Sequence, residues 1–386
     1  MRVLLVTDFF PPVLGGLELH VDSLASELVA RGNEVHVATM TAGAAATDTR
    51  VVVHEVTTST GELIPYSNAE RRYHVPLPDP RARRQLRAIL AVARPDVIHV
   101  HNWLGVSLPR TDVPLVFTAH DYALVCHIRT LLDADARVCT GPGAVKCFRC
   151  GSRNRRAHRT AFMEAATVMG RHLLRPAAVL APSAFVQRQL VTAVRAPVTV
   201  VPNFVRPAPP AADVWVPEGA FVMYAGQPGQ HKGVDLLLDI WGEEDPPRAA
   251  LHLALTGPLE RPLPANVTVA HLEPGQVRSA VARATVAVMP SRVPESFGMA
   301  ALEAMEAGVP TVVSEVGGLA EVVRDGVDGL HVPPGDVVAL RAAMRRLLDD
   351  EALRASMSAH ARERAADYTA DRVVPRIVEV YDSVRR

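Results

Sequence analysis

The 386-residue sequence is nearly devoid of lysine: of 41 basic residues only Lys146 and Lys232 are not arginine. The arginine bias, with abundant alanine and proline, reflects GC-rich coding and carries no chemistry. No apolar run approaches the roughly 20 residues of a membrane helix. The start, "MRVLLVTDFF", runs from one arginine into a strand-like segment. It lacks the apolar region and small-residue cleavage site of a secretory signal, so the expected location is the cytoplasm. There is no G-x-G-x-x-G stretch, which speaks against a dinucleotide-binding dehydrogenase.

Net charge is zero, but it is unevenly spread. Residues 1–205 hold 23 basic against 16 acidic side chains, and residues 206–386 hold 18 against 25. The basic half suits an anionic substrate or membrane surface, or simply a solvated arginine-rich face.

What is present is alternation. "RVLLVTDFF", "EVHVAT", "DVIHVH", "LVFTAH", "AVLAPS" and "VTVVPN" are short apolar runs, several separated by helix-period segments. Leu17, Val21, Leu24 and Leu28 mark one helical face, which Gly32 is placed to end. Runs of this kind belong to parallel strands buried on both faces. The proline-rich stretch 202–219 reads as a linker. The pattern then restarts with "FVMYAG", "LHLALTG", "VTVAHL", "VAVMPS" and "TVVSEV", and 335–384 is almost wholly helical in period. The expected organisation is a domain over 1–201 with a cysteine-rich insertion at 126–150, a linker over 202–219, and a second domain over 220–365. A helix at 366–386 is expected to return to the first domain. A cleft between two doubly wound domains is the default ligand site.

Three glycine-containing loops follow strands. "FFPPVLGGLELH" places Gly15 and Gly16 before a helix, where backbone N–H groups can approach a phosphate. "YAGQPGQHKGVDLLL" holds Lys232, a compact cation suited to phosphate oxygens. "PSRVPESFGMAALEAMEAGVPTVVSEVGG" sets Glu295 in a loop and Glu303 about one turn into the next helix. The amides of Phe297, Gly298 and Met299 lie at that helix start. Acidic residues there also suit the helix dipole without any ligand.

The Glu-x7-Glu block resembles the signature of retaining glycosyltransferases of family 4, which have the GT-B fold. "PPVLGGLELHVDSLASELVARGNEVHVAT", "PDVIHVHN", "TAHDY", "VPN", "KGVDLLL" and "DGVDGLHVPPGD" extend the resemblance over nearly the whole chain. It implies an α/β protein of two Rossmann-like domains facing a cleft. The implied reaction moves a sugar from a nucleotide diphosphate donor, UDP or GDP foremost, to a hydroxyl acceptor. Under the resemblance, Gly15 and Gly16 form the loop over the donor diphosphate, and Lys232 holds it. Glu303 takes the ribose hydroxyls, while Glu295 contacts the donor sugar. His120 faces that sugar. Ser291, Arg292 and Ser296, with the amides at 297–299, frame the nucleotide pocket. The resemblance calls for no catalytic metal. The acceptor is unspecified, anionic and lipid-linked types included, and no nucleic acid is implied. A nucleotide-sugar epimerase of the same fold and a non-catalytic sugar-nucleotide binder are the competing readings. The chain departs from the family at Gln227, where arginine is common, and at Phe204, where glycine is usual. Gln227 can still donate a hydrogen bond to the donor, but Lys232 becomes the sole cation of its loop.

All four cysteines, Cys126, Cys139, Cys147 and Cys150, fall within "CHIRTLLDADARVCTGPGAVKCFRC". Disulfides are disfavoured in the cytoplasm, and four thiolates closing on a C-x2-C suit structural zinc. Lys146 stands ready to offset their charge. Free thiols, two disulfides or an iron–sulfur cluster are the alternatives. The basic run 153–175 leads into an amphipathic helix, which reads as a core-packed helix with a basic outer face or as a peripheral contact with the inner face of the membrane.

Overall fold

The computed structural model describes residues 1–13, 15–59, 74–133, 137–152, 157–205 and 213–386. The chain divides into two compact units: Met1–Phe204 with Ala370–Arg386, and Val205–Thr369. The part of the anticipated linker at 206–212 and the start of the basic run at 153–156 lie outside the described residues.

The first unit runs β1 (Arg2–Thr7), α1 (Gly16–Ala30), β2 (Glu34–Thr39), β3 (Val52–Glu55), α2 (Pro80–Ala93), β4 (Val97–Val100) and β5 (Leu115–Thr118). It continues with α3 (Ala144–Ser152), α4 (Ala157–Leu174), β6 (Ala178–Ala181), α5 (Ala184–Leu190) and β7 (Val198–Val200). The strands form one parallel sheet in the order β3-β2-β1-β4-β5-β6-β7. Local chemistry sets the helices. In α2, the Asp79 carboxylate accepts the Arg81 and Ala82 N–H groups, and Pro80 occupies the first turn. Ala82, Leu86, Ile89 and Ala93 then give one buried stripe.

The second unit runs β8 (Phe221–Gly226), α6 (Val234–Trp241), β9 (Ala250–Leu255), β10 (Val267–Ala270), α7 (Pro274–Ala282) and β11 (Val286–Met289). Then come α8 (Met299–Glu306), β12 (Thr311–Ser314), α9 (Leu319–Val322), β13 (Gly329–Val332), α10 (Val337–Asp349) and α11 (Glu351–Ala365). Its parallel sheet has the order β10-β9-β8-β11-β12-β13. In each sheet the direction of winding reverses once, between β1 and β4 and between β8 and β11. In open parallel sheets such reversals leave a crevice at the carboxyl ends of the strands.

The last helix, α12 (Ala370–Arg385), belongs to the first unit. Val373, Val374, Ile377 and Tyr381 join the core formed with Val3 and Leu5 of β1 and Val21, Leu24 and Leu28 of α1. Tyr381 is fully buried, and its hydroxyl is 2.6 Å from Nδ1 of the buried His99. Tyr381→Phe keeps the ring but strands that nitrogen, so it should cost about 1–3 kcal/mol in urea unfolding. Tyr381→Ala should cost more, about 3–5 kcal/mol, because it also opens a cavity.

Candidate functional site

In the second unit the loops after β8 and β11 meet at the reversal. The Arg292 N–H donates to the His231 carbonyl at 2.9 Å, and the Ser291 hydroxyl reaches the same oxygen at 3.4 Å. Gly233 sits at φ 76°, and a side chain there would strike the Pro290 carbonyl. The glycine after Lys232 is therefore required by the approach of the two loops. Held this way, Lys232 Nζ lies 2.6 Å from Glu295 Oε1, and the Ser291 hydroxyl donates to the same oxygen at 3.0 Å. Arg292 pairs with Asp235 in the first turn of α6 at 2.8 Å. Gln227 accepts the Tyr224 hydroxyl through its backbone carbonyl at 2.7 Å. Burial, and then the Glu295 charge, raise the Tyr224 phenol above its ordinary range.

The Glu295 backbone is fixed from the other side. Its carbonyl accepts the Gly318 N–H at 2.6 Å, and it bridges to Gly317, where any Cβ would collide with that carbonyl. This contact accounts for the "VGG" that ends the long block. Ser296 and Phe297 follow. Phe297 is buried and stacks edge-on with Tyr368 at 5.6 Å, so its side chain serves the core. Gly298 begins α8 at φ 114° and has no side chain to cap it, which leaves the amides at Met299 and beyond for an acceptor. Glu303 is half-buried on α8. Desolvation raises its carboxyl above the usual range, while Arg278 acts against the rise.

In the first unit the corresponding reversal gathers histidines. His120 follows β5 and lines a small pocket with His101, Asn102, Trp103, Asp121, Arg129 and their neighbours. His120 Nε2 is 2.8 Å from His101 Nδ1. His101 packs at a tilt against His99 at 4.1 Å, and His20 of α1 packs edge-on to His120 at 5.2 Å. Desolvation, reinforced by the neighbouring rings, pushes His20, His99 and His120 down to about 3 and His101 well below its ordinary value. The cluster is therefore neutral at physiological pH. A second device locks the crevice. The buried Asp8 carboxylate, after β1, accepts the Leu104 N–H at 2.8 Å and the His74 N–H at 3.2 Å.

A model of glycosyltransferase family 4 matches residues 14–208, and one of glycosyl transferases group 1 matches residues 211–364. The chain belongs to glycosyltransferase family 4. It is 28% identical to a glycogen synthase of Mycobacterium tuberculosis over all of this chain and 95% of that protein. A D-inositol 3-phosphate glycosyltransferase of Thermobispora bispora is 30% identical over 76% of this chain and 72% of its own. A phosphatidyl-myo-inositol mannosyltransferase of Mycolicibacterium smegmatis is 26% identical over 100% and 94%. Among solved structures, sucrose-phosphate synthase of Thermosynechococcus elongatus matches with a TM-score of 0.74 at 18% identity, covering 99% of each chain. Anabaena Alr3699/HepE in complex with UDP-glucose matches at 0.66 and 18%, also covering 99% of each. The fold is GT-B, and the protein is an enzyme.

In this glycosyltransferase Gly15 is the residue before α1, extended at φ −177°, and Gly16 opens the helix with free space where a side chain would stand. Phe204, at the family's usual glycine, is buried against His20 at 4.9 Å. Cys126, Cys139, Cys147 and Cys150 are free, half-buried thiols. As the side chains lie, no three His, Cys, Asp or Glu among the described residues converge enough to hold a metal ion. No helix among them is long and apolar enough to cross a membrane. Sequence reasoning missed His101, Asp8 and Asp235. Only the H-x-H at the end of β4 could have signalled the first, because β4 and β5 are adjacent.

The buried histidines set an acid limit for the glycosyltransferase. Between pH 6.5 and about 3 the unfolded chain binds protons that the folded histidines refuse, so stability falls as pH falls through that window. Each such group contributes a slope of up to about 1.4 kcal/mol per pH unit. Urea unfolding at several pH values should show this loss. His20→Leu should make the slope shallower by about one group's share.

Proposed function

We propose that the enzyme transfers a hexosyl group, with retention at the anomeric carbon, from a UDP- or GDP-type sugar to a hydroxyl acceptor. The observation that carries this reading is the Lys232–Glu295 pair at the β8/β11 crevice, beside the uncapped start of α8. The UDP-glucose bound to the Anabaena neighbour and the sugar-transferring relatives are consistent with it.

In this reading the donor diphosphate draws Lys232 from Glu295, and the α8 amides add the partial positive charge of a helix start. In the first unit, Gly15 and Gly16 offer backbone N–H groups at the start of α1 that suit a phosphate. Glu303, on α8, takes the ribose diol. Glu295, relieved of Lys232, accepts from donor-sugar hydroxyls. His120, held neutral, meets the sugar as a hydrogen-bonding group without charge. The bond from the anomeric carbon to the diphosphate oxygen breaks while a bond to the acceptor oxygen forms on the same face. The acceptor proton passes to the departing phosphate oxygen, so no protein nucleophile takes part. Lys232 and the amides act most strongly on the charge that develops on that leaving group. This scheme uses no metal ion.

Calorimetry with UDP, GDP and the corresponding sugar nucleotides tests the roles. Lys232→Ala should weaken donor binding about tenfold or more, the share of a charge-assisted hydrogen bond. Glu303→Ala should weaken the free nucleoside diphosphate and the sugar nucleotide alike. Glu295→Gln releases Lys232, so it should leave the free nucleotide bound as well or better while weakening the sugar nucleotide. Equal loss of free nucleotide in both glutamate variants would refute the division of labour. Donor consumption without an acceptor, yielding an epimerised sugar nucleotide, would favour an epimerase.

A lipid-linked or anionic acceptor fits the first unit. Helix α4 exposes Phe162, Met169 and Leu173 along one side, and Arg175 is exposed just beyond its end. An exposed apolar stripe with flanking cations suits an anionic bilayer surface. The enzyme should float with anionic liposomes at low salt and be released as salt rises. Absence of binding at low salt would remove the membrane from this scheme.

A further inference from the structure

We infer that Cys126, Cys139, Cys147 and Cys150 form a structural zinc site that staples the segment between β5 and α4. The inference does not depend on the donor or on the mode of transfer.

One dipeptide, Leu131–Leu132, organises three of the four. Burial raises the Cys126 thiol, and the amides of Leu131, Ile128 and Arg129 act against that rise. The Leu131 carbonyl accepts the Cys139 N–H at 2.8 Å, and Leu132 bridges to Val138 in antiparallel sense. The Leu132 carbonyl receives the Cys150 thiol at 3.5 Å. Cys147 lies one turn before Cys150 on α3, and its sulfur accepts the Gly143 N–H at 3.4 Å. The Cys139 thiol contacts the Gly141 carbonyl at 3.3 Å, and Lys146 Nζ reaches that carbonyl at 3.1 Å and the Thr140 hydroxyl at 3.0 Å. A hairpin and a helix thus deliver four thiols to one knot, with a cation on its rim.

Cys126, Cys147 and Cys150 each feel the charge of Cys139, which places the four sulfurs near one another. Cys139 and Cys150 donate to carbonyls, and Cys147 donates toward the Glu164 carboxylate. Binding a metal requires rotation about the cysteine Cα–Cβ bonds, because as the side chains lie no three ligands among the described residues converge. Four thiolates with tetrahedral freedom suit Zn²⁺ in a closed site. Binding it releases protons and holds the insertion in place. The insertion matters to the site, because its Arg129 lines the same pocket as His120.

The full chain, purified without chelator or metal-affinity tag, is to be assayed by elemental analysis. About one zinc per chain is expected, released in step with mercurial titration of the thiols. Cys147→Ser and Cys126→Ser should each lower the zinc content to under about a tenth. Stripping zinc should lower the melting temperature and reduce turnover, while calorimetric binding of free nucleoside diphosphate is unchanged. The wild-type measurement stands even if a variant fails to fold. The assignment is overturned if the reduced protein neither carries zinc nor takes it up when zinc is added. Disulfides among these cysteines, or iron with a visible chromophore, would overturn it equally.

Discussion

Parallel pairing throughout both sheets constrains everything else in this enzyme. A parallel strand must be followed by a crossover, so helices cover both faces and the strands are buried as continuous apolar runs. Functional groups are then confined to the carboxyl ends, and the reversal of winding decides where along that edge they gather. Between β8 and β11 it gathers Lys232, Ser291 and Glu295. Between β1 and β4 it gathers Asp8 and Asn102, with His101 and His120 beside them.

The two reversals handle charge in opposite ways. At β8/β11 full charges are kept and paired, half-buried. At β1/β4 the histidines are desolvated to neutrality. The difference follows from burial. Lys232 and Glu295 retain access to water, whereas His99 and His101 are buried, His99 against Tyr381 of α12.

The fold class was legible because its signals are local. Apolar runs, helix stripes and loop glycines each occupy fewer than twenty residues. The same holds for Lys232, Glu295 and Glu303, which lie in loops or helix starts directly after strands. What was not legible depends on register and on distant contacts. That His101 meets His120 follows from the pairing of Val100 with Phe117, which no local pattern encodes. That Lys232 and Glu295 form one ion pair, across 63 residues of chain, required both loops in place. Read separately, the two were given separate ligands. Nor does a local pattern show that Gly233 and Gly317 are needed where one loop's backbone presses on another.

The position of α12 has a consequence for biosynthesis. The core of the first unit is completed by Val373, Val374, Ile377 and Tyr381, which leave the ribosome only after all of the second unit has been made. Until then β1 and α1 present an uncovered apolar strip, and His99 has no phenol to meet. The nascent first unit must wait in that unfinished state through the synthesis of 165 residues, Val205–Thr369. Domains made first usually fold first. Here the order of translation and the order of completion are inverted, which makes this interval the window in which a chaperone has most to hold.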